Sequence, residues 1–215
     1  GKALARLQHH SIVAVFDLFE WRRDVYLALE YVDGFDLAKL CKDGALGVEV
    51  GAIVAKQVAE ALEHAHFAGI VHRDVKASNV MVSRRGEVKL MDFGVARQDV
   101  LEPMTRTGMV VGTPMYVAPE VMQGQEADAR ADIYATGVML YELLTGRKPY
   151  PGGGVEAMFQ AIHNTTVTPP SALVPALPEA LDTVVLRAMQ IDPGARFADA
   201  REMQAALDAA ITGAD

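Results

Sequence analysis

One short segment, residues 72–79 with the sequence HRDVKASN, concentrates side chains that could do chemistry. Carboxylates can accept protons and, together with amide oxygens, can hold a hard cation such as Mg²⁺. Lysine and arginine can neutralise anionic charge. The segment matches the pattern H-R-D-x-x-x-x-N, whose four specified positions arise by chance on the order of once in a thousand chains of this length.

Two further motifs follow this segment. The sequence DFG begins at Asp92, thirteen residues after Asn79, and the intervening residues predict strands 80–82 and 88–91 around a turn. Such a hairpin brings the two motifs together, whereas DFG alone could be a chance turn. The sequence GTPMYVAPE then ends at Glu120, twenty-eight residues after Asp92. Three motifs in this order predict one composite site.

The flanking sequence predicts strands first and helices afterwards. Residues 12–19 and 25–31 are rich in β-branched and aromatic side chains, and the polar stretch between them predicts a hairpin. Apolar residues at three-and-four spacing predict an amphipathic helix over Val48–Phe67, ended by Gly69. Residues 98–114 lack periodicity and predict a long functional loop. Later apolar periodicity predicts four more helices, over 132–144, 155–163, 178–189 and 199–211.

On these motifs the chain resembles the eukaryotic-type Ser/Thr protein kinases, bacterial members in particular. The resemblance runs from LARLQH at residues 4–9 to DPGARF at residues 192–197. It implies an α+β, protein-kinase-like fold with a mainly α-helical C-lobe, hinge strands and a small N-terminal lobe that is largely missing. Within one domain fragment over 1–215, residues 1–31 are the N-lobe remnant, with the end of helix C and two strands, and 32–215 are the C-lobe.

The resemblance also implies the cofactors ATP and Mg²⁺ and a set of catalytic residues. Asp74 is expected to orient the substrate hydroxyl and accept its proton, and Lys76 to neutralise charge on the transferred phosphate. Asn79 and Asp92 are expected to hold Mg²⁺. Thr113 resembles the threonine that hydrogen-bonds to the catalytic Asp and Lys in Ser/Thr kinases.

A hinge between the lobes is implied by the sequence LEYVDG at residues 29–34. Leu29 is the expected gatekeeper, and the backbone carbonyl of Glu30 and the backbone groups of Val32 are expected to meet the adenine edge. Met81 is the expected apolar floor under the ring, although it could equally be plain core. Gly34 is interpreted as the end of the preceding strand pattern.

Other matched positions imply structural or regulatory roles. Glu120 and Arg196 resemble an ion pair that fixes the substrate-binding loop, and Asp132 resembles a buried acid that caps the catalytic loop. Thr105 and Thr107 are candidates for phosphorylation beside Arg73, although they could be incidental polar residues. The motifs also include three neighbours of the catalytic residues: His72, Phe93 and Gly94.

Composition limits the class of protein and its partners. Hydrophobic residues make up 51% and charged residues 22%, an ordinary balance for a folded chain. The net charge of -8 argues against nucleic acid and anionic membranes as partners. Cys41 is the single cysteine, and no apolar run approaches a bilayer span. These features predict a cytoplasmic location, and the resemblance implies a signalling kinase that acts on proteins with Ser or Thr hydroxyls.

The sequence leaves an alternative open. No G-x-G-x-x-G pattern precedes Leu4, and Lys2 lies beside a helix end rather than on an upstream strand. We therefore expect a truncated kinase domain, and a catalytically inactive, pseudokinase-like interaction module is the main alternative. A small-molecule kinase is a distant third, because such enzymes lack the Ala-Pro-Glu motif that ends at Glu120. Loss of the small lobe is expected to expose apolar area around Leu29, Met81 and Val95, which predicts self-association.

Overall fold

The computed structural model describes residues 7–22, 24–42, 44–93 and 114–213 of the chain. Within those ranges there are five strands: β1 Val15–Trp21, β2 Asp24–Leu29, β3 Gly34–Asp36, β4 Val80–Ser83 and β5 Val88–Leu90. The same ranges contain eight α-helices: α1 Leu37–Leu40, α2 Val48–Phe67, α3 Pro119–Met122, α4 Ala129–Thr145, α5 Val155–Asn164, α6 Pro170–Leu173, α7 Glu179–Ala188 and α8 Ala200–Thr212. The predicted α+β class and the five long helices are confirmed.

The N-terminal hairpin is confirmed with shifted bounds. β1 and β2 pair antiparallel, and their ladder extends to the pair Trp21 and Asp24, so the turn is tighter than predicted. Phe19 stacks on Tyr26 across the two strands, with ring centroids 5.6 Å apart. This contact stabilises the end of the ladder, where Glu20 and Trp21 also pair with β2. The hairpin forms a two-stranded sheet of its own, and large apolar side chains such as Phe16 are exposed. Self-association through the apolar area around Leu29, Met81 and Val95 stays a prediction, and Val95 lies outside the described residues.

The segment before β1 attaches the hairpin to the rest of the structure. Residues 12–14 were predicted as the start of the strand, but Ile12 pairs in parallel with Leu90 of β5 instead. Leu90 donates its backbone N–H to the carbonyl of Ser11 over 2.8 Å and accepts one from Val13 over 2.9 Å. Ser11 and Val13 therefore hydrogen-bond to β5, a partner distant in sequence, whereas Ala14 hydrogen-bonds to Glu30.

The second sheet has the order β3-β4-β5, with both pairs antiparallel. The predicted hairpin of β4 and β5 is confirmed, and Gly86 in its turn has a positive φ of 84°. Gly34 was expected to break a strand, but it begins β3 opposite Ser83. A Cβ atom at Gly34 would lie 2.0 Å from the carbonyl oxygen of Val82, so the close approach of the two backbones requires glycine.

Helix α4 lies at the centre of the described helices and is buried along almost its whole length. One set of its side chains, including Ile133 and Tyr134, packs into an apolar cluster with α7 and α8. Another set, including Met139 and Leu143, packs with α2 and the β4–β5 hairpin. Burial of apolar side chains on both sides fixes α4, and with it Asp132 in its first turn. Across the described residues, every helix is too short or too polar to cross a lipid bilayer.

Candidate active site

The segment with the HRDVKASN motif leaves helix α2 through Gly69, whose φ of 75° is in the left-handed region that favours glycine. Arg73 also has a positive φ, 67°, which a residue with a Cβ adopts rarely. A short 3-10 helix, Ala77–Asn79, then leads directly into β4. The loop is thus held between the end of a buried helix and the start of a paired strand.

The side chain of Asp132 on α4 holds the backbone of this loop through hydrogen bonds. Its carboxylate, 1% exposed, accepts backbone N–H groups from His72 and Arg73, each over 2.8 Å. A further contact of 2.8 Å joins Asp132 Oδ2 to Nε2 of His66 on α2. Hydrogen bonds to an ionised acceptor in a buried site are stronger than neutral ones, so they can hold Arg73 in its strained conformation.

Three of the expected catalytic side chains form one hydrogen-bonded cluster. Lys76 Nζ donates to Asp74 Oδ2 over 2.8 Å. The amide nitrogen of Asn79 donates to the same Oδ2 over 3.0 Å and to the backbone carbonyl of Asp74 over 2.8 Å. The carboxylate of Asp74 is therefore held in one orientation by a cation and an amide, which is the preorganisation that acid–base chemistry needs.

His72 links the cluster to the DFG segment. Its Nδ1 accepts the backbone N–H of Asp74 over 3.2 Å, so its Nε2 carries the proton and donates to the carbonyl of Met91 over 2.9 Å. The ring is fully buried and lies 4.5 Å from the ring of Phe93. Burial lowers the pKa of His72, although the nearby Asp132 opposes this shift, and the imidazole is neutral near pH 7.

Asp92 is exposed and directly follows Met91, whose N–H donates to the carbonyl of Asn79 over 2.9 Å. Its φ of 60° is in the left-handed region, as at Arg73. Backbone strain of this kind is often concentrated at functional sites. The predicted hairpin thus brings Asn79 and Asp92 to the same end of β4 and β5.

The expected hinge residues lie at the end of β2, between β2 and β3, and on β4. Leu29 ends β2 and is 38% exposed, and Val32 is half-buried between β2 and β3. Met81 on β4 is half-buried and pairs with Lys89 of β5. The backbone N–H of Glu30 donates to the carbonyl of Ala14 over 2.9 Å.

Glu120 and Arg196 form a buried, bidentate ion pair. The two guanidinium nitrogens lie 2.8 and 2.7 Å from the two carboxylate oxygens. Arg196 is 2% exposed, and its remaining N–H groups donate to three backbone carbonyls, those of Gln190, Arg130 and Ile191. The pair connects α3, which begins at the last two residues of the GTPMYVAPE segment, to the region before α8.

Sequence reasoning missed two contacts near this site. Tyr116 donates its hydroxyl hydrogen to the carboxylate of Glu142 on α4, and burial together with this acceptor raises the pKa of Tyr116 far above its usual range. His66 on α2 hydrogen-bonds to the carboxylate of Asp132, a contact that no sequence pattern predicted. Tyr116 lies inside a recognised motif, whereas Glu142 and His66 carry no local signal.

Four of the predicted site residues lie outside the described residues: Gly94, Thr105, Thr107 and Thr113. The expectations for them therefore stay predictions. Among the described residues, no group of three or more His, Cys, Asp or Glu side chains is arranged to hold a metal ion.

Comparison with known proteins identifies the family. Residues 1–207 match the family model described as protein kinase domain. The chain belongs to the protein kinase family. This kinase domain is 41% identical over 220 residues to a probable serine/threonine-protein kinase of Streptomyces coelicolor. That alignment covers 99% of this chain and 33% of the relative. It is 43% identical over 213 residues to a probable serine/threonine-protein kinase PknB of Corynebacterium glutamicum. That alignment covers 94% of this chain and 33% of the relative.

A solved structure confirms the predicted fold of this kinase domain. Rad53 residues 1–466 in complex with AMP-PNP align with a TM-score of 0.80 and 27% sequence identity. The alignment covers 94% of this kinase domain and 52% of that chain. The chain spans about a third of the length of the curated relatives it matches.

Proposed function

We propose that this kinase domain is the catalytic part of an ATP-dependent protein serine/threonine kinase, which transfers the γ-phosphate to Ser or Thr hydroxyls. The observation that carries the proposal is the hydrogen-bonded cluster of Asp74, Lys76 and Asn79. The names of the bacterial relatives, which are serine/threonine-protein kinases, support the choice of hydroxyl substrates. Signalling and a cytoplasmic location remain part of this proposal.

Each member of the cluster has a distinct role in this proposal. Asp74 orients the acceptor hydroxyl and receives its proton as the oxygen attacks the γ-phosphate. Lys76, whose ammonium lies 2.8 Å from Asp74, provides positive charge beside the phosphate in flight. Asp132 acts indirectly, because it holds the backbone that carries Asp74.

The side chains of Asn79 and Asp92 fit a magnesium site. The amide nitrogen of Asn79 makes both contacts with Asp74, so the oxygen of the same amide is the atom suited to a cation. Asp92 contributes an exposed carboxylate at the same end of the β4–β5 hairpin. Mg²⁺ usually takes only one or two carboxylates and completes its shell with water and phosphate oxygens, which agrees with so small a protein donor set. When bound, Mg²⁺ neutralises the charge of the phosphate oxygens.

The nucleotide base is assigned to the hinge. The Rad53 structure is a complex with AMP-PNP, and its likeness to this kinase domain supports an adenine nucleotide here. The backbone carbonyl of Glu30 and the backbone groups of Val32 then meet the adenine edge, with Leu29 as gatekeeper and Met81 below the ring. We also propose that the small lobe includes residues 1–31 and the large lobe 32–215, since β1 and β2 form a separate sheet.

A phosphotransfer assay tests this function on the complete protein that contains this domain, whatever its length, here termed the parent protein. We expect Mg²⁺-dependent transfer from γ-labelled ATP to a generic protein acceptor, with label on Ser or Thr and none after chelation of the metal. Labelled Tyr alone, or transfer to small molecules only, would contradict the proposal. Nucleotide binding without any transfer would favour the pseudokinase-like interaction module instead.

Phosphorylation of Thr105 or Thr107 should raise the activity of the parent kinase. A phosphate adds about -1.5 to -2 charge and three acceptor oxygens. Among the described residues, the buried Nε of Arg73 has no hydrogen-bond partner, so this guanidinium has a donor to offer a phosphate. Mass spectrometry should find the modification, and the double variant Thr105→Ala, Thr107→Ala should lose activity. Full activity in that variant would show that these threonines are incidental.

A further inference from the structure

The carboxylate of Glu30 makes two contacts that its proposed role in adenine binding does not use. Its Oε1 lies 2.6 Å from Nζ of Lys89 on β5, and its Oε2 accepts the backbone N–H of Ala14 over 3.1 Å. Both charged side chains are largely buried, with exposed fractions of 28% for Glu30 and 14% for Lys89. A pair shielded in this way is screened less by solvent and salt than a surface pair.

The two contacts lie at a junction of three backbone segments. Residues 11–14 run between Glu30 on one side and β5 on the other. Ala14 accepts the N–H of Glu30, and Leu90 exchanges hydrogen bonds with Ser11 and Val13. The ion pair of Glu30 and Lys89 therefore joins the two outer segments across the middle one.

The residues that follow Glu30 and Lys89 in the chain link this junction to the proposed ligand site. The backbone of Glu30 continues into the hinge at Val32, and Lys89 lies three residues before Asp92. The junction thus connects the segment assigned to adenine with the segment assigned to the phosphate-bound metal. Fixing two parts of a ligand site relative to each other lowers the ordering cost of binding.

We propose that the ion pair of Glu30 and Lys89 is a brace that positions the hinge backbone for adenine nucleotides relative to the Asp92 segment. This inference rests on the proposed function. Glu30 and Lys89 are positioning residues in it, since neither side chain is assigned to a reacting atom.

The ionisation of Glu30 agrees with the geometry. Burial by itself raises the pKa of Glu30, but the hydrogen bonds from Lys89 and Ala14 and the charge of Lys89 outweigh burial and lower it below the usual glutamate value. The stabilisation from a depressed carboxylate pKa is present above the unfolded-state pKa and is lost as the pH falls through the folded-state pKa. The brace is therefore intact at neutral pH.

The test uses Lys89→Met in the full-length parent protein, with Lys89→Arg as the conservative variant. We expect Lys89→Met to raise both the KM for ATP and the Kd for ADP about tenfold, the effect of losing one charge-assisted hydrogen bond. The kcat should change by less than about twofold, because the Asp74 cluster is untouched. Lys89→Arg should restore most of the affinity. Arg84→Gln is the matched control, since it removes an exposed ion pair with Asp33 from the same sheet.

A double-mutant cycle with Glu30→Gln makes the test specific. The double variant should bind ADP no more weakly than Lys89→Met alone, because both changes remove the same interaction. Hydrogen exchange of the amides of Ala14 and Leu90 should be faster in each variant. Unchanged ADP affinity in a folded Lys89→Met protein would overturn the brace, as would additive effects of the two changes. So would equal losses in kcat and kcat/KM with a lowered melting temperature, which indicate a merely structural role.

The two proposals fail in distinguishable ways. If the unmodified parent binds ADP but transfers no phosphate, the proposed catalytic function fails, and the ADP affinities alone decide on the brace. If the unmodified parent binds no adenine nucleotide, both proposals are wrong. If transfer is normal and the Lys89→Met variant behaves like Arg84→Gln, only the brace is wrong.

Discussion

Replacing Asp74 by Asn should lower kcat/KM of the full-length parent kinase by about 10²- to 10⁴-fold, the range typical for loss of a general acid–base group. Asn is nearly isosteric with Asp, but its amide cannot accept the proton of the acceptor hydroxyl. One of the two carboxylate oxygens also becomes an NH2 donor, and the negative charge that pairs with the ammonium of Lys76 is lost. Steady-state kinetics with ATP and a generic acceptor measure the change.

The control for Asp74→Asn is the same substitution at Asp208. Asp208 lies on α8 and pairs with Lys56 at the surface, far from the HRDVKASN segment in sequence. Asp208→Asn should keep activity within about twofold, and both variants should keep the circular dichroism spectrum of the parent. Activity near the unmodified level in Asp74→Asn would contradict the role assigned to this carboxylate.

Replacing Arg196 by Met should destabilise the domain by about 3–5 kcal/mol, the usual cost of breaking a buried ion pair by removing one partner. The carboxylate of Glu120 would then be left buried, with an exposed fraction of 8%, and without the guanidinium that meets both its oxygens. Three backbone carbonyls would lose donors as well. For a domain of this size the melting temperature should fall by roughly 6–20 °C, as measured by calorimetry.

Two comparisons make the Arg196 prediction specific. Arg201→Met removes an arginine whose partner, Glu63, is at the surface, and it should leave the melting temperature nearly unchanged. Adding Glu120→Gln to Arg196→Met should recover part of the lost stability, because no unpaired charge then stays buried. A melting temperature unaffected by Arg196→Met would show that the buried pair does not stabilise this fold.

Local patterns in the sequence were enough to predict the long helices, both hairpins and the motifs of the site. The three-and-four spacing of apolar residues predicted α2 within its observed bounds. The spacing between Asn79 and Asp92 predicted the β4–β5 hairpin that brings these residues to one end of the sheet. Such features depend on residues close together in the chain, and their periodicity is visible without a three-dimensional structure.

Contacts between distant residues were decided by the tertiary structure. Glu30 and Lys89 are 59 positions apart in the chain, and His66 and Asp132 are 66 apart. Periodicity carries no information about such partners. For the same reason residues 12–14 were predicted as an extension of β1, although Ile12 and Val13 pair with β5.

Backbone conformation at the site was also decided by the tertiary structure and not by local sequence. Intrinsic preference disfavours a positive φ at Arg73 and Asp92, and sequence patterns gave no sign of it. At Arg73 the buried carboxylate of Asp132 accepts the backbone N–H, and the energy of this bond offsets the strain. The sequence thus determined which residues could do the chemistry. Tertiary hydrogen bonds from the buried helix α4 determined how the loop that carries Asp74 is held.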